Sequence, residues 1–196
     1  PTEGAETFDQ VTMSPKTVGA FVDYSRKFLL QSSVAVDPMI KGDLSKSLAI
    51  AIDLAALYGL GASNQPTGIK LTSGINTVNL GAATPTFLEM IDMETQVAAD
   101  NADLGSLAYL TNASGRGALK GVKKDAGSGE FVWSNNEING YKAFASNQVA
   151  SGDFFFGNWA DLLIGFWSGL DLMVDPYTGS SSGTVRIVAL QDCDIA

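Results

Sequence analysis

The sequence predicts an α+β fold, on three observations. A long helical stretch at 37–61 has clear start and stop signals, a second helical stretch opens near 84, and short alternating or apolar runs bounded by turn residues occupy most of the rest. The succession strand, helix, helix, strand, strand gives an α+β or mixed α/β architecture, and no repeat of fixed period is visible. A chain of 196 residues with 45% hydrophobic and 17% charged residues can bury a core and suits one domain or two small ones.

The opening ten residues, PTEGAETFDQ, are polar and aperiodic and read as an exposed arm. Residues 8–13 alternate loosely. Residues 17–24 alternate well, with Val18, Ala20, Val22 and Tyr24 on one face. Ser14-Pro15-Lys16 between them reads as a turn, so two antiparallel strands are expected. Ser25 can cap a short helix, RKFLLQSS. The spine follows. Asp37 suits its N-cap, Pro38 its first position, and Gly59 and Gly61 release the chain at its far end. Ile40, Leu44, Leu48, Ala51, Ala55 and Tyr58 form one stripe, and Ile50, Leu54 and Leu57 open a second one halfway along. A helix that becomes apolar nearly all round must be covered there by more protein. At ~1.5 Å per residue it is a rod of roughly 33 Å, weakened near its start by Gly42.

The loop ASNQPTGIKLTSG leads into a second region, where Thr84-Pro85 opens a helix over FLEMIDMETQVAADNAD with Phe87, Ile91, Glu94 or Thr95, and Ala98 on one side. Residues 107–111, LAYLT, read as a buried strand, and Asn112 can cap a brief helix, ASGRGALKGV. Residues 123–129 form a glycine-rich charged loop. Residues 131–133 and 141–149 then read as strands around an Asn139-Gly140 hairpin turn. Residues 154–157 read as a strand, 159–167 fit helix or strand equally, and 171–174 lead into a flexible tip, DPYTGSSSG. The last strand is expected at 184–190. With no initial methionine and a strand running close to the terminus, both ends read as cuts in something longer.

Composition excludes several classes of chemistry. The chain has no histidine, which removes Ser-His-Asp and Cys-His arrangements, His-bearing zinc sites and the usual base near neutral pH within this chain. A net charge of −9 argues against sequence-specific nucleic-acid binding, and Lys120, Lys123 and Lys124 read as a solvated loop. Cys193 is the single cysteine, so no internal disulfide forms; between Leu190 and Ile195 it reads as a small buried hydrophobe. No apolar run approaches the ~18 residues of a membrane span, and no leader pattern opens the chain.

Each remaining candidate site has a plainer reading that outweighs it. Gly59-Leu60-Gly61 with Gly68 follows a helix, where a phosphate cradle would precede one. Asp100, Asp103, Asp171 and Asp175 lack the spacing of a calcium loop, so no metal or cofactor is expected. Glu89, Asp92 and Glu94 could supply an acid–base pair for a carboxylate-dependent hydrolase, but no second cluster supports them. Trp133, Trp159, Trp167, Phe154, Phe155, Phe156 and Phe166 read as core or subunit contact rather than a sugar or base platform; if buried, Trp159 or Phe155 truncated to Ala should cost several kcal/mol. Asn112-Ala113-Ser114 matches a glycosylation acceptor with no secretion signal to use it.

The succession TFDQVTMSPKTVGAFVDYSRKFLLQSS, a long helix ending in DLAALYGLG, and then NQPTGI resembles the major capsid proteins of tailed bacteriophages, whose HK97-like fold is shared with encapsulins. The carrying residues are Ser25 and Arg26, Gly59 and Gly61, Pro66, Gly68 and Ile69. Later features agree: 107–111 before a short helix, Gly140-Tyr141, Phe156-Gly157-Asn158-Trp159 and the closing VRIVALQDCDIA.

The resemblance implies a peripheral domain from residues 1–64, with strand pair, spine helix and a remnant of an extended loop. It implies an axial domain from 65–181, and a peripheral return strand at 182–196. It further implies a non-enzymatic shell protein that self-assembles into hexamers and pentamers around DNA. Scaffold, maturation protease and portal would be its partners, no membrane would be involved, and it would reside in the virion after assembly in the host cytoplasm. Lys120, Lys123, Lys124, Tyr177 and Gly179 are the expected subunit contacts. The cross-link made by some members is not expected, because Glu3, Gly4, Ala5 and Glu6 stand near its lysine position and Thr184 or Val185 near its asparagine. An encapsulin-type compartment is the alternative from the same fold.

Overall fold

The computed structural model describes residues 10–31, 36–82, 84–127 and 129–196, so the expected arm at 1–9 and Glu3, Gly4, Ala5 and Glu6 lie outside the described residues. In chain order the elements are β1 (Lys16–Ser25), α1 (Arg26–Gln31), α2 (Val36–Tyr58), α3 (Phe87–Ala99), β2 (Leu107–Thr111), α4 (Ala113–Leu119), β3 (Trp133–Ser134), β4 (Glu137–Ile138), β5 (Tyr141–Ala145), β6 (Phe155–Asn158), β7 (Ile164–Phe166), β8 (Asp171–Asp175) and β9 (Thr184–Ile195). The chain divides into two compact units, Pro1–Gly68 with Ile164–Ala196, and Ile69–Leu163. Against the expected span 65–181, residues 65–68 group with the first unit through the Leu60↔Thr67 bridge, and 164–181 through the pairing of β7 and β8 with β9.

In the first unit β9 is the central strand. β1 runs antiparallel along it from Lys16↔Cys193 to Ser25↔Thr184, while β8 and β7 follow one another along its other edge. Residues 10–13 form no strand, so the hairpin expected through Ser14-Pro15-Lys16 is replaced by pairing with a strand more than 150 residues away in sequence. β9 outcompetes a local partner because it offers alternating Val185, Ile187 and Ala189 opposite Tyr24, Val22 and Ala20. That face meets α2, whose Ile40, Leu44 and Leu48 form a core with Ala189 and the partly buried Val18, Ala20, Val22, Tyr24, Leu172 and Ile187.

The spine helix forms, but its buried row continues through Ile52 and Ala56 instead of Ala51, Ala55 and Tyr58. Steps of four follow one ridge obliquely around the helix, the geometry of a helix crossing its support at an angle. Ile50 and Leu54 of the second stripe are exposed, while Leu57 is buried. Helix α2 begins at Val36, so Asp37 stands inside it rather than before it, and the Asp37 side chain lies outside the described residues. Ser25 caps α1 by accepting from the Phe28 N–H at 3.1 Å.

Beyond Tyr58 the chain folds back on itself. Gly61 N–H donates to the Pro66 carbonyl at 3.0 Å and Gly68 N–H to the Gly59 carbonyl at 2.8 Å, around a Leu60↔Thr67 bridge. A Cβ on Gly68 would stand 2.4 Å from the Gly59 nitrogen, so backbone approaches backbone where only hydrogen fits.

Asp194, almost fully buried at the end of β9, ties down the chain before β1. It accepts from Lys16 Nζ and from Ser14 N–H, each at 2.8 Å, and from Ile195 N–H at 2.9 Å. Burial pushes its carboxyl up, but these donors, Lys16 first, outweigh burial and hold it below the ordinary value. A lowered carboxyl contributes stability above its unfolded pKa of about 4 and loses that contribution as pH falls through the folded value. Asp194→Ala leaves Lys16 without its partner and is expected to cost about 3 kcal/mol at neutral pH. In thermal melts the gap from the parent should narrow below about pH 4.

The second unit is a five-stranded sheet in the order β3-β4-β5-β2-β6, with β2 parallel to β5 and antiparallel to β6. Strands β3, β4 and β5 form a meander through two two-residue turns. Asn139-Gly140, at φ 50° and 87°, is the turn expected from sequence, and Asn135-Asn136, at φ 51° and 60°, is one that was not. Positive φ at both central positions matches the right-handed strand twist, and Asn adopts it more readily than most residues. Strand β5 ends at Ala145 rather than 149, and only Trp133 of the run 131–133 lies in a regular strand, Phe131 forming a bridge to Lys123. The run 159–167 resolves into turn residues followed by β7, not a helix.

Helices α3 and α4 cover one face of this sheet. Thr86, not Thr84, caps α3: its hydroxyl accepts from Glu89 N–H while Glu89 accepts from Thr86 N–H, a reciprocal capping box. The helix ends at Ala99, short of the expected DNAD extension. Of the expected row Phe87, Ile91, Glu94 or Thr95, and Ala98, Phe87 packs on the core and Glu94 reaches the Tyr109 hydroxyl, but the centre is filled by Met90, with Met93 beside it, in a core with Tyr109, Leu119, Val132, Trp133 and Ile138. Leu107–Thr111 and the Asn112 cap of α4 stand as expected, Asn112 accepting from Gly115 N–H at 2.6 Å. That bond and burial occupy the side chain of the apparent glycosylation acceptor.

Candidate assembly surfaces

Alternation along β1, β8 and β9 gives the first unit's sheet a second face, turned away from α2. Phe21, Val188 and Met173 stand side by side in one cross-strand row there, and Phe21 and Met173 are more than half exposed. The next row is charged. Arg186 donates to both oxygens of Asp23 through Nε and Nη2, each at 2.8 Å, and its guanidinium lies 4.3 Å from the Phe21 ring centre. The bond from Arg186 holds the Asp23 carboxyl below its ordinary value, and bonds from Thr178 and the Tyr177 N–H do the same for Asp175. This exposed apolar row, bordered by a fixed ion pair, is a candidate contact surface.

The expected contact residues have different surroundings. Tyr177 is 82% exposed and supported only at its backbone, where Asp175 accepts from its N–H. Gly179 is a pivot of the turn into β9: its carbonyl accepts from Ser182 and Thr184 N–H, and a Cβ would collide with Thr184. Lys120 and Lys123 are exposed, whereas Lys124 is engaged by Glu130 at 2.9 Å and lies over the Phe87 ring at 5.7 Å.

Of the carboxylate candidates, Glu89, Glu94, Asp100 and Asp175 are held in structural hydrogen bonds, while Asp92 and Asp103 are exposed without one among the described residues. Glu89 accepts from Gly81 N–H at 2.7 Å and from both the Thr86 N–H and hydroxyl, which hold its pKa down and leave it no proton to donate near neutral pH. Glu94 accepts from the Tyr109 hydroxyl at 2.6 Å and from Asn139 Nδ2 at 2.8 Å, tying α3 to β2 and the hairpin. Asp100 accepts from Asn76, and Asp171 and Asp175 sit on β8 in the other unit. Among the described residues no three His, Cys, Asp or Glu side chains are gathered in a metal-binding group. Cys193 is buried and free, and burial pushes its thiol up.

Of the aromatic set, Trp133 is core, while Phe154, Phe155, Phe156 and Trp159 are half-buried. Trp159 Nε1 donates to the Ala108 carbonyl at 2.8 Å. Truncating Trp159 or Phe155 therefore removes less buried area than full burial would imply. Phe166 and Trp167 are about half exposed on and beside β7, on the surface rather than in the core. Sequence reasoning missed Phe21 and Met173 as surface groups, because an alternating strand shows which residues share a face but not which face is covered.

The sequence profile of the Phage capsid family matches residues 1–196. The chain belongs to this phage capsid family. It is 37% identical over 188 residues to a major capsid protein of Halomonas phage phiHAP-1, a match that covers 96% of this chain and 31% of that protein. The chain thus spans about a third of the length of that curated relative. Among solved structures it is similar to the capsid of an empty GTA particle computed with C5 symmetry, at TM-score 0.73 and 19% identity over 96% of this chain and 70% of that one. It is also similar to a chain of Mycobacterium phage Adephagia, at TM-score 0.66 and 12% identity over 93% and 66% of the two chains. A virus-like particle from Pyrococcus furiosus matches at TM-score 0.61 and 15% identity, covering 93% and 72%. At these identities the solved structures establish the HK97-like capsid fold alone.

Proposed function

We propose that this chain is the wall-building part of a tailed-phage or prophage major capsid protein, with copies associating into pentamers and hexamers of an icosahedral shell that encloses DNA. The observation that carries this reading is the 37% identity to a phage major capsid protein along 96% of the chain. The function is mechanical: the chain carries no catalytic residues and resides in the virion after assembly in the host cytoplasm. Scaffold, maturation protease and portal are its partners during assembly. The unit built on α2 and β9 serves as the peripheral domain, and the unit of residues 69–163 as the axial domain.

Surfaces left uncovered within one chain support the reading. Ile50 and Leu54 on the spine, the Phe21–Val188–Met173 row, and Tyr177 give a single copy more exposed apolar surface than an isolated protein needs. Many weak contacts per subunit suffice to close a shell. We assign Lys120, Lys123 and Tyr177 to contacts between copies. Lys124 and Gly179 act one step back, by holding the loops that present them. An encapsulin-type compartment shares the fold and is the second reading, and the 37% identity to a phage major capsid protein favours the phage one. Sedimentation velocity of the full-length protein is expected to show species at five- and sixfold mass and larger closed bodies. A monomer that persists at high concentration with its scaffold supplied would overturn the proposal.

A further inference from the structure

The second unit carries a cavity of about 380 Å³ whose walls include Arg116, Trp133, Asn135, Lys142 and Phe144. Three properties set it apart. Trp133 is 3% exposed and its Nε1 has no hydrogen-bond partner among the described residues, a rare state for a buried donor. Phe144, on the sheet face opposite the core residue Ala143, is a large aromatic left 56% exposed. Arg116 and Lys142 form no ion pair among the described residues, in a chain with nine more acidic than basic side chains. Glu137 stands opposite Lys142 in the β4–β5 ladder and offsets one charge, which leaves the cavity cationic through Arg116.

The same unit exposes a carboxylate of complementary charge elsewhere. The loop between α3 and β2 carries Asp103, an exposed carboxylate with no hydrogen bond or ion pair among the described residues, directly followed by Leu104 at 74% exposure. Asn101 and Gly105 bracket this pair at φ 57° and 96°, which makes it the crest of a turn. The crest immediately precedes β2 and Arg116 follows it on α4, so knob and socket are made by different residues of one unit. A contact that joins such surfaces is heterologous and closes into a ring when the rotation between copies permits.

We propose that the cavity beside Trp133 is a socket for the Asp103–Leu104 crest of a second copy of this chain. Asp103 meets the Arg116 guanidinium and Leu104 lies against Phe144. The inference rests on the shell reading above, and it specifies which charged contact joins neighbouring second units.

Two experiments test it on the full-length protein. In the first, Arg116→Asp and Asp103→Arg, both at exposed positions, are each expected to raise the protein concentration for half assembly about tenfold or more, with unchanged melting curves. The double variant, which swaps the pair, should recover most of that loss. Single variants that assemble like the parent, or a double variant no better than either single, would overturn the pairing. In the second, the indole N–H resonance of Trp133 is followed while a peptide of sequence ADNADLGS is added to about 1 mM, the range of a single weak contact. The expected shift should vanish for a peptide carrying Asn at the Asp103 position, and in the Arg116→Asp protein. An unmoved resonance would overturn the socket even if shells form. A shift produced instead by a short DNA duplex and lost in Arg116→Asp would replace the carboxylate with phosphate and likewise overturn it. If the parent forms no shell, the shell reading fails while the peptide titration still decides the socket.

Discussion

Tyr109→Ala is expected to destabilise the second unit by about 3–5 kcal/mol, the range for removing a fully buried aromatic side chain from a packed core. Tyr109 is 1% exposed, stacks obliquely on Phe156 with ring centres 4.4 Å apart, and sits among Met90, Leu119 and Ile138. Its hydroxyl reaches Glu94 Oε1 at 2.6 Å and the Met90 carbonyl at 2.9 Å. Burial and the Glu94 carboxylate push its pKa far up, so the phenol stays a donor at every accessible pH. Tyr109→Phe separates ring from hydroxyl: it keeps the packing, strips Glu94 of one donor, and should cost about 1–3 kcal/mol. Chemical denaturation of both variants checks the pair, and equal losses would show that the hydroxyl, not the ring, carries the site.

Gly68→Ala is expected to be as damaging, at about 3 kcal/mol or more, although it adds one methyl group outside any core. The new Cβ would stand 2.4 Å from the Gly59 nitrogen, 2.5 Å from the Tyr58 nitrogen and 2.7 Å from the Leu57 carbonyl carbon. All three are backbone atoms at the end of α2, so no side chain can swing aside. Either the Gly68 N–H to Gly59 carbonyl bond breaks or the helix end unwinds. Gly42, in the same helix with nothing among the described residues within 4 Å of its added Cβ, supplies the opposite case: Gly42→Ala should stabilise by about 0.5–1 kcal/mol through helix propensity alone. Thermal melts of the two variants should therefore shift in opposite directions.

Much of this fold was legible because its signals are local. Capping at Ser25 and Asn112, the Asn139-Gly140 turn, the five-residue run at 107–111 and the glycine exit from the spine each need only a few neighbouring residues to specify them. Two of the differences arise because a partner far along the chain decides the outcome. Strand β1 could not announce β9 as its neighbour, because alternation states a face and not a mate. The inward row of α3 was read one step away from Met90, since Phe87, Ile91 and Met90 are apolar alike and only the Tyr109 core selects among them. Thr86 and Glu89 did carry a readable capping box, and the Thr-Pro pair at 84–85 drew the start two residues early.

The candidate surfaces were less legible than the fold. Subunit contacts leave no motif comparable to a catalytic triad, and Tyr177 stood out only as an aromatic in a loop of small residues. Leu104, a lone large apolar residue inside a polar turn, was the one readable sign of a knob, and its weight became apparent only at 74% exposure. The socket required the folded chain, since Arg116, Trp133 and Phe144 come from α4, β3 and β5.

The most direct test of the shell-building role is negative-stain electron microscopy of the full-length protein, with particle mass from light scattering on the same sample. Closed shells, or rings of five and six copies, are the result expected of a phage capsid protein built from these two units. A uniform population of single copies at high concentration, in the presence of the scaffold, would contradict it and leave the capsid fold without the capsid function.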